Sequence, residues 1–226
     1  MTSNAHHPLF ARLKTACASE WDDYLNHPFV RRLGEGTLPE ECFRHYLGQD
    51  YLFLIQFVRA YGLAVYKSDT LEDMRQGAAG MAAILDEMGL HVKYCHDWGI
   101  TQAEMAALSE ARATTAYTRY VLDKGASGDL LDLHVALAPC VIGYAEIGRQ
   151  LRAEFAEGLD DNPYRSWIDS YAGVDYQALA GAQAARLDHL MTARGGPGRF
   201  QALAELFREA VRLETEFWEM GLTLAR

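Results

Sequence analysis

The sequence predicts an all-α protein, a multi-helix bundle that folds as a single domain over residues 1–226. Apolar residues recur at helical spacing along nearly the whole chain, and no segment shows the strict apolar–polar alternation of a half-buried strand. No Pro/Gly/Ser-rich linker interrupts the 226 residues, which favours one domain over two. We therefore expect seven or eight helices joined by short loops.

The chain opens with a predicted helix over residues 8–24, in which Pro8 is a suitable first-turn residue. A loop is expected at 26–37. Pro39 and the two glutamates after it then begin a helix that should run to about Lys67. The middle of this helix, YLFLIQFV, is apolar on most faces, so we expect it to be the central buried helix.

Two more helices are predicted with clear boundaries. The first spans about residues 70–98, and Gly99 ends it. Thr101 and Glu104 then match the spacing of a capping box, which indicates a short helix beginning there. A further helix is predicted over 112–124.

The second half of the chain contains an unusual apolar stretch, ALAPCVIGYAEIG, within a predicted helical segment over 129–157. Proline inside a helix costs roughly 3 kcal/mol and leaves the carbonyl four residues earlier without its partner. Pro139 stands directly before a thiol, Cys140, so this cost calls for a reason. The remaining predicted helices cover 162–171, 175–194 and 199–224.

Charge and composition exclude several classes of partner. The net charge is −10 and Lys and Arg form no run, which argues against a nucleic acid and against an anionic membrane surface. The first fourteen residues lack the apolar core of a signal peptide, and the apolar runs are shorter than a membrane span. The four cysteines form no CxxC pair, which predicts free thiols. We expect a soluble, cytoplasmic protein.

Metal and nucleotide motifs are missing from the sequence. Di-iron bundles need Glu-x-x-His, and no histidine here has a glutamate three residues before it. Glu41 with His45 and Glu87 with His91 are four residues apart, a pattern typical of a solvated or pocket-rim face. Neither a G-x-S-x-G elbow nor a P-loop occurs. We predict no metal and no cofactor.

Two carboxylates stand in apolar surroundings. Asp50 lies in the helix predicted to be most buried, where a carboxylate must be paired or hydrogen-bonded. Glu214 shares a helix face with Phe217 and Trp218, three and four residues on. The structural interpretation makes Asp50 a partner of another helix and Glu214 an exposed neighbour of core aromatics. The functional interpretation makes Asp50 a carboxylate presented to the polar edge of a ligand.

Cys140 is the candidate nucleophile, although an isolated cysteine is most often a small buried hydrophobe. Pro139 should free the Val135 carbonyl and bend the helix, and a bend inside a bundle often borders a cavity. Tyr144 lies one turn further along on the same face. Because no Lys, Arg or His lies within one turn of Cys140, groups that activate its thiolate must come from other helices.

Five blocks in order resemble one known family. They are HPFVRRLGEGTLPEECFRHYLGQDYLFL at 27–54, EMGLH at 87–91, LAPCVIGYAEIG at 137–148, WIDSYAG at 167–173 and LETEFWEMG at 213–221. Each block alone is weak, but five at compatible spacings are specific. The chain resembles the TenA/thiaminase II family, the aminopyrimidine aminohydrolases of thiamin salvage.

The resemblance implies an all-helical fold of the haem-oxygenase type without haem, and a homotetramer. It also implies roles for three residues. Cys140 matches the nucleophile that adds to the pyrimidine ring, and Glu214 matches the acid and base that moves protons. Asp50 matches the carboxylate that pairs with the amino and imino edge of the substrate.

Aromatic residues complete the site that the resemblance implies. Taken alone, each is more often part of a core than of a pocket. Tyr117, Tyr144 and Tyr171 match tyrosines that shape the pocket and orient the cysteine and the substrate. Phe53 stands where relatives often have tyrosine, so a hydroxyl is missing at that position.

Three functions remain open from the sequence. The leading one is hydrolysis of aminomethylpyrimidines, products of thiamin degradation, to hydroxymethylpyrimidine. Thiamin itself is a second candidate substrate, and the sequence does not rank the two because they share the pyrimidine. The alternatives are a regulatory protein that binds the same ligand without chemistry, and a metal oxidase of haem-oxygenase-like fold.

Overall fold

A computed structural model of the chain describes residues 8–226, apart from the side chain of Leu90, as helices joined by short turns. Within these residues there is no strand, so the predicted all-α class is confirmed. The α-helices in chain order are α1 (Leu9–Ala16), α2 (Ala18–Leu25), α3 (Pro28–Gly34), α4 (Glu40–Tyr66), α5 (Leu71–Asp97), α6 (Gln102–Ala107), α7 (Arg112–Ser127), α8 (Leu130–Ala138), α9 (Tyr144–Glu154), α10 (Arg165–Ala172), α11 (Val174–Arg194) and α12 (Arg199–Thr223).

Helices α4 and α12 form the centre of the bundle. Helix α4 packs against α5, α7 and α12, and α12 also packs against α2, α7 and α8. Phe43 and Tyr46 on α4 and Phe207 and Trp218 on α12 are almost completely shielded from solvent. The prediction of a central buried helix at 39–67 is therefore confirmed, and α12 shares that central position.

Two predictions in the first 37 residues are wrong. The helix predicted over 8–24 is divided at Cys17, because α1 packs on α11 whereas α2 turns to pack on α12. The loop predicted at 26–37 contains α3. The His27 ring accepts a hydrogen bond from the Phe29 N–H and caps this helix, and Pro28 occupies its first turn.

The predicted start and end of α5 and the predicted capping box of α6 are confirmed. Thr70 caps α5 by accepting a hydrogen bond from the Asp73 N–H, and α5 ends close to the predicted Gly99. Thr101 and Glu104 form both hydrogen bonds of the capping box at the start of α6.

Pro139 widens the helical segment from α8 to α9 without ending it. Residues Pro139–Gly143 form a single π-helical turn, in which hydrogen bonds span five residues. The Tyr24 hydroxyl donates a hydrogen bond of 3.2 Å to the Pro139 carbonyl. A Cβ atom at Gly143 would lie 2.7 Å from the Tyr24 hydroxyl oxygen, so glycine at this position lets Tyr24 reach the turn.

The resulting segment Leu130–Glu154 lies within the helical segment predicted over 129–157. In length and composition it is apolar enough to cross a membrane. Of its most apolar stretch, 83% is buried inside the protein, and core helices pass the same test. Its unbroken apolar run covers residues 135–145, between His134 and Glu146, in line with the expectation of short apolar runs.

Helices α9 and α10 approach each other closely at Gly148. A Cβ atom built there would lie 2.7 Å from the Ala172 backbone nitrogen and 2.7 Å from the Tyr171 Cβ. Because these are backbone and near-backbone atoms, they cannot move aside without shifting α10. The absence of a side chain at Gly148 therefore permits the close packing that determines the position of α10 and of Tyr171.

We expect Gly148→Ala to destabilise the protein by about 1–3 kcal/mol, the usual cost of forcing extra volume into a packed contact. Urea unfolding measures this change. Gly181→Ala is the matched control, because Gly181 lies inside α11 with no atom within 4 Å of its Cβ position. The control should be stabilised by roughly 0.5–1 kcal/mol. Equal stability of the two variants would contradict the close approach.

Candidate active site

A small enclosed cavity lies between α4, α5, the π-turn, α10 and α11. The predicted site residues Asp50, Cys140, Tyr144 and Tyr171 all line it. Its open space is about 20 Å³, close to the volume that one water molecule needs. The other lining residues are Leu54, Phe57, Tyr61, Gly80, Ala83, Ile84, Glu87, Val141, Tyr176 and Leu179.

The π-turn places Cys140 at this cavity. Pro139, Val141, Ile142 and Gly143 are buried, whereas Cys140 retains partial exposure. A widened turn changes the direction of its side chains relative to a regular helix, and such turns often occur at functional sites. The sequence prediction that Pro139 distorts the helix beside the thiol is confirmed.

Three predicted site residues lie in the packed core next to the cavity and do not line it. Glu214 on α12 is 1% exposed and accepts a hydrogen bond of 2.8 Å from the Tyr117 hydroxyl. The Phe53 ring lies 5.0 Å from the Tyr117 ring, measured between centroids. Glu214 is thus a buried carboxyl held by one tyrosine, and the interpretation as an exposed glutamate is wrong.

Buried acids surround the Cys140 thiol. Burial raises the pKa of this thiol well above its usual value, and the charges of Glu214, Asp50 and Glu87 raise it further. Among the described residues, the charged groups that act on it are all carboxylates. The thiol is therefore neutral in the unliganded protein at pH 7, and a base must take its proton before it can attack a ligand.

The three carboxyl groups titrate near neutral pH. Burial raises the pKa of Asp50 to about 7. Burial, with the charge of Asp50, also raises the pKa of Glu87 to about 7 and that of Glu214 to about 8. A carboxyl group with such a pKa can both accept and donate a proton at neutral pH, as general acid–base catalysis requires.

Aromatic rings form one side of the cavity. The Tyr171 ring lies 5.0 Å from Tyr144, 4.5 Å from Trp167 and 4.7 Å from Tyr176, measured between centroids. The Trp167 indole N–H donates to the Tyr46 hydroxyl over 3.3 Å. These tilted and edge-on rings offer flat surfaces that suit a planar ligand.

Sequence reasoning gave no catalytic or binding role to four residues at or beside the cavity. Glu87 and His91 belong to the EMGLH block, and their four-residue spacing was interpreted as a solvated or pocket-rim face. Tyr61 and Tyr176 carry no motif at all. Glu87, Tyr61 and Tyr176 line the cavity, and His91 is buried against Asp50 with 3.5 Å between its Nδ1 and the Asp50 Oδ2.

A wider cleft lies outside the cavity, between α5 and the pair α10 and α11. The cleft has a volume of about 950 Å³ and shares Glu87, Tyr171 and Tyr176 with the inner cavity. Asp86, Asp97 and Asp175 lie along it. The cavity therefore adjoins this cleft, from which the shared side chains separate it.

The candidate metal pairs have other partners. The His45 Nε2 faces the Ala225 carbonyl at 2.9 Å, and the His91 Nε2 faces the Leu47 carbonyl at 3.1 Å. Over residues 8–226, no group of three or more His, Cys, Asp or Glu side chains is arranged to hold a metal ion.

The fold and the cavity define an all-α protein of haem-oxygenase-like type that encloses a small-molecule site. A domain with a haem-oxygenase-like fold from Shewanella denitrificans is 13% identical and superposes with a TM-score of 0.73, over 95% of this chain and 92% of that chain. The predicted fold is confirmed. Residues 15–224 match the model of the TENA/THI-4/PQQC family, and the chain belongs to this family.

Two relatives resemble the chain over most of its length. The crystal structure of a TenA family transcription regulator from a Silicibacter species is 44% identical, with a TM-score of 0.91, and covers 98% of this chain and 100% of that chain. The aminopyrimidine aminohydrolase of Halalkalibacterium halodurans is 37% identical over 204 residues, which are 89% of each chain. The resemblance inferred from the five sequence blocks is confirmed.

The buried Glu214 carboxyl predicts a pH-dependent stability difference. An unfolded glutamate loses its proton near its ordinary pKa of about 4.3, whereas folded Glu214 keeps its proton up to about 8. Between these values the unfolded state binds fewer protons, so the residue lowers stability by about 1.4 kcal/mol per pH unit as pH rises.

Glu214→Gln removes the charge and retains an oxygen for the Tyr117 hydroxyl. We expect its stability relative to the natural protein to rise by about 2–3 kcal/mol between about pH 5.5 and about pH 7.5, measured by urea unfolding. Glu216→Gln, at an exposed position on the same helix, is the matched control and should show no such rise. A Glu214→Gln difference that is constant with pH would contradict the raised pKa.

Proposed function

We propose that this protein is an aminopyrimidine aminohydrolase of thiaminase II type, which replaces the amino group of an aminomethylpyrimidine with hydroxyl in thiamin metabolism. The main support is the convergence of Asp50 and Cys140, from different helices, on one aromatic-walled cavity. The relative from H. halodurans carries the same activity in its name.

Asp50 is the proposed anchor for the ligand. An aminopyrimidine presents an exocyclic amine, which donates, beside a ring nitrogen, which accepts. A protonated carboxyl group matches both, since one oxygen accepts from the amine and the other donates to the ring. Stacking on Tyr171 and its neighbours would hold the ring plane without ordering flexible side chains.

The proposed reaction is covalent catalysis by Cys140. In the ionised fraction of Glu214 the carboxylate takes the proton of the thiol, and the thiolate adds to a carbon of the protonated pyrimidine, which breaks the aromaticity of the ring. The ring electrons then expel the amine from the methylene carbon, and the amine takes a proton and leaves as ammonia. Water adds to that carbon and gives its proton to Glu214, and the sulfur then departs and takes this proton back, which restores the ring and the thiol.

Glu214 is the proposed base and acid for these steps. The neutral Cys140 thiol needs a proton acceptor. Among the charged groups that raise the pKa of this thiol, Glu214 has the largest effect. The Tyr117 hydroxyl donates to one oxygen of Glu214 and thereby holds its orientation. Once protonated, Glu214 can return the proton to the leaving amine.

Phe53 remains a predicted substrate-binding position. Its ring packs between Tyr117 and Phe217 in the layer beside the cavity, with centroid separations of 5.0 and 5.7 Å. In this layer Phe53 can position Tyr117 and, through it, Glu214. A direct contact between Phe53 and the ligand would require the cavity to open toward α12.

We also propose a homotetramer located in the cytoplasm. Leu71, Met74 and Leu85 are exposed apolar residues that lie on one face of α5, which is typical of a surface covered by another subunit. The four cysteines are free thiols, as predicted, and free thiols are typical of reducing compartments.

We expect Cys140→Ala to abolish turnover while leaving pyrimidine binding intact. Steady-state kinetics with aminomethylpyrimidine and with thiamin, side by side, measure turnover, and calorimetry with the hydroxymethyl product measures binding. The loss should exceed about 10³-fold, since Cys140 is the one cysteine among the described residues that line the cavity.

Cys17→Ala is the matched control, because Cys17 is a buried thiol at the α1–α2 junction and does not line the cavity. It should retain activity. Turnover by Cys140→Ala would show that Cys140 is not the nucleophile. Binding by the natural protein without release of ammonia or thiazole would indicate a ligand-binding protein in place of an enzyme.

Sedimentation of the natural protein tests the assembly. We expect the mass of four chains, and Leu85→Asp should shift the protein to smaller species because it places a charge on the exposed apolar face of α5. A natural protein that sediments as one chain would contradict the tetramer and leave the reaction unaffected.

A further inference from the structure

His91 is a largely buried histidine that lines the outer cleft and lies in direct contact with Asp50, and the proposed reaction gives it no role. The side chains of His91 and Asp50 are only 9% and 8% exposed. The His91 Nδ1 lies 3.5 Å from the Asp50 Oδ2, and its Nε2 lies 3.1 Å from the Leu47 carbonyl oxygen. Helix α5 carries His91, while α4 carries both of its partners.

The backbone carbonyl determines which nitrogen of His91 holds the hydrogen. A carbonyl oxygen only accepts, so the nitrogen facing Leu47 must donate. In a neutral imidazole the other nitrogen, Nδ1, then has a lone pair that points toward Asp50. If Asp50 were ionised, two electron-rich atoms would face each other in a site shielded from water, which is unfavourable.

One proton between the two groups removes this conflict. We propose that Asp50 and His91 share a single proton in the ligand-free protein, and that His91 is a positioning residue that keeps this proton in place for transfer to the ring of the substrate. The destination of the proton rests on the proposed function, whereas its presence rests on the contact geometry alone.

The proton belongs mainly to Asp50. Burial raises the pKa of the Asp50 carboxyl to about 7 and lowers the pKa of His91, so the carboxyl is the better base of the two. The resting pair is thus a carboxylic acid beside the lone pair of a neutral imidazole. The 3.5 Å separation is long for a hydrogen bond, and such contacts often tighten when a ligand binds.

Ligand binding changes the acceptor of this proton. In the resting pair the hydrogen on Asp50 points to the His91 Nδ1. When an aminopyrimidine enters, its ring nitrogen takes the hydrogen, and the positive charge of the protonated ring then stabilises the Asp50 carboxylate beside the His91 lone pair. His91 stays neutral throughout, and no proton enters or leaves the site. Protonation makes the ring more electrophilic toward Cys140.

Other titratable groups face the pair from the surrounding helices. They are the carboxyls of Glu87 and Glu214, the thiols of Cys95 and Cys140, and the hydroxyls of Tyr46, Tyr144, Tyr171 and Tyr176. Burial raises the pKa of each thiol and hydroxyl, so these groups stay protonated at neutral pH. The pKa values of Glu87 and Glu214 lie close to that of Asp50. The dependence of the rate on pH would therefore not assign a transition to one of the three groups.

Nuclear magnetic resonance of the ligand-free protein tests the pair directly. Nitrogen-15 spectra of the histidine rings should show His91 as a neutral imidazole with hydrogen on Nε2 at about pH 7. Carbon-13 spectra of labelled aspartate, with the Asp50 signal assigned from its loss in Asp50→Asn, should show that carboxyl protonated below about pH 7. A hydrogen on the His91 Nδ1, or a His91 imidazolium at neutral pH, would overturn the proposal.

His91→Asn gives a second readout. Its amide N–H can donate to an ionised Asp50, so the carboxylate no longer needs a shared proton. We expect the titration midpoint of Asp50 to fall by about one pH unit, roughly a tenfold change in proton affinity. The KM for aminomethylpyrimidine at about pH 7 should rise more than kcat falls, because the ionised Asp50 cannot donate to the ring.

His96→Asn is the matched control, because His96 lies on the same helix with its side chain 78% exposed. It should leave the Asp50 midpoint unchanged. Equal midpoints in His91→Asn and in the control would overturn the proposal. If His91→Asn does not fold, the nitrogen-15 spectra of the natural protein decide alone. A confirmed shared proton in a protein without turnover would reject only the proposed hydrolysis.

Discussion

Proline at position 139 cannot donate a backbone hydrogen bond, so the helix that crosses the core has to change its hydrogen bonding there. The chain resolves this with one π-turn over Pro139–Gly143, to which Tyr24 adds a hydrogen bond at the Pro139 carbonyl. In this turn Cys140 and Val141 border a cavity while Pro139, Ile142 and Gly143 stay packed. The location of the thiol, and with it the proposed chemistry, depends on this local change in helix geometry.

The second requirement is the burial of several acids around one thiol. Asp50, Glu87 and Glu214 all have pKa values raised by burial, and their charges disfavour a thiolate at Cys140. This arrangement lowers stability at neutral pH, which is a common property of functional sites. It favours a ligand that brings a positive charge or takes up a proton, because such a ligand would offset the acids.

The fold class and most helix bounds could be predicted because long amphipathic helices have a clear period and capping signals. Helix α3 could not, since seven residues are too few for periodicity and its cap is a histidine. At the site, the proline and the five blocks indicated Asp50 and Cys140. The contribution of Tyr176 and the Asp50–His91 contact depend on how α5 and α11 pack against α4, which no local pattern encodes.

A crystal structure of the protein with bound aminomethylpyrimidine tests the central claim most directly. The account predicts the ring between Asp50 and Cys140, in a cavity widened beyond the one-water volume that it has without ligand, with its amine and adjacent nitrogen within about 3 Å of the Asp50 oxygens and a ring carbon facing the Cys140 sulfur. A ligand seated only in the outer cleft, or a ring whose amino edge points away from Asp50, would contradict it.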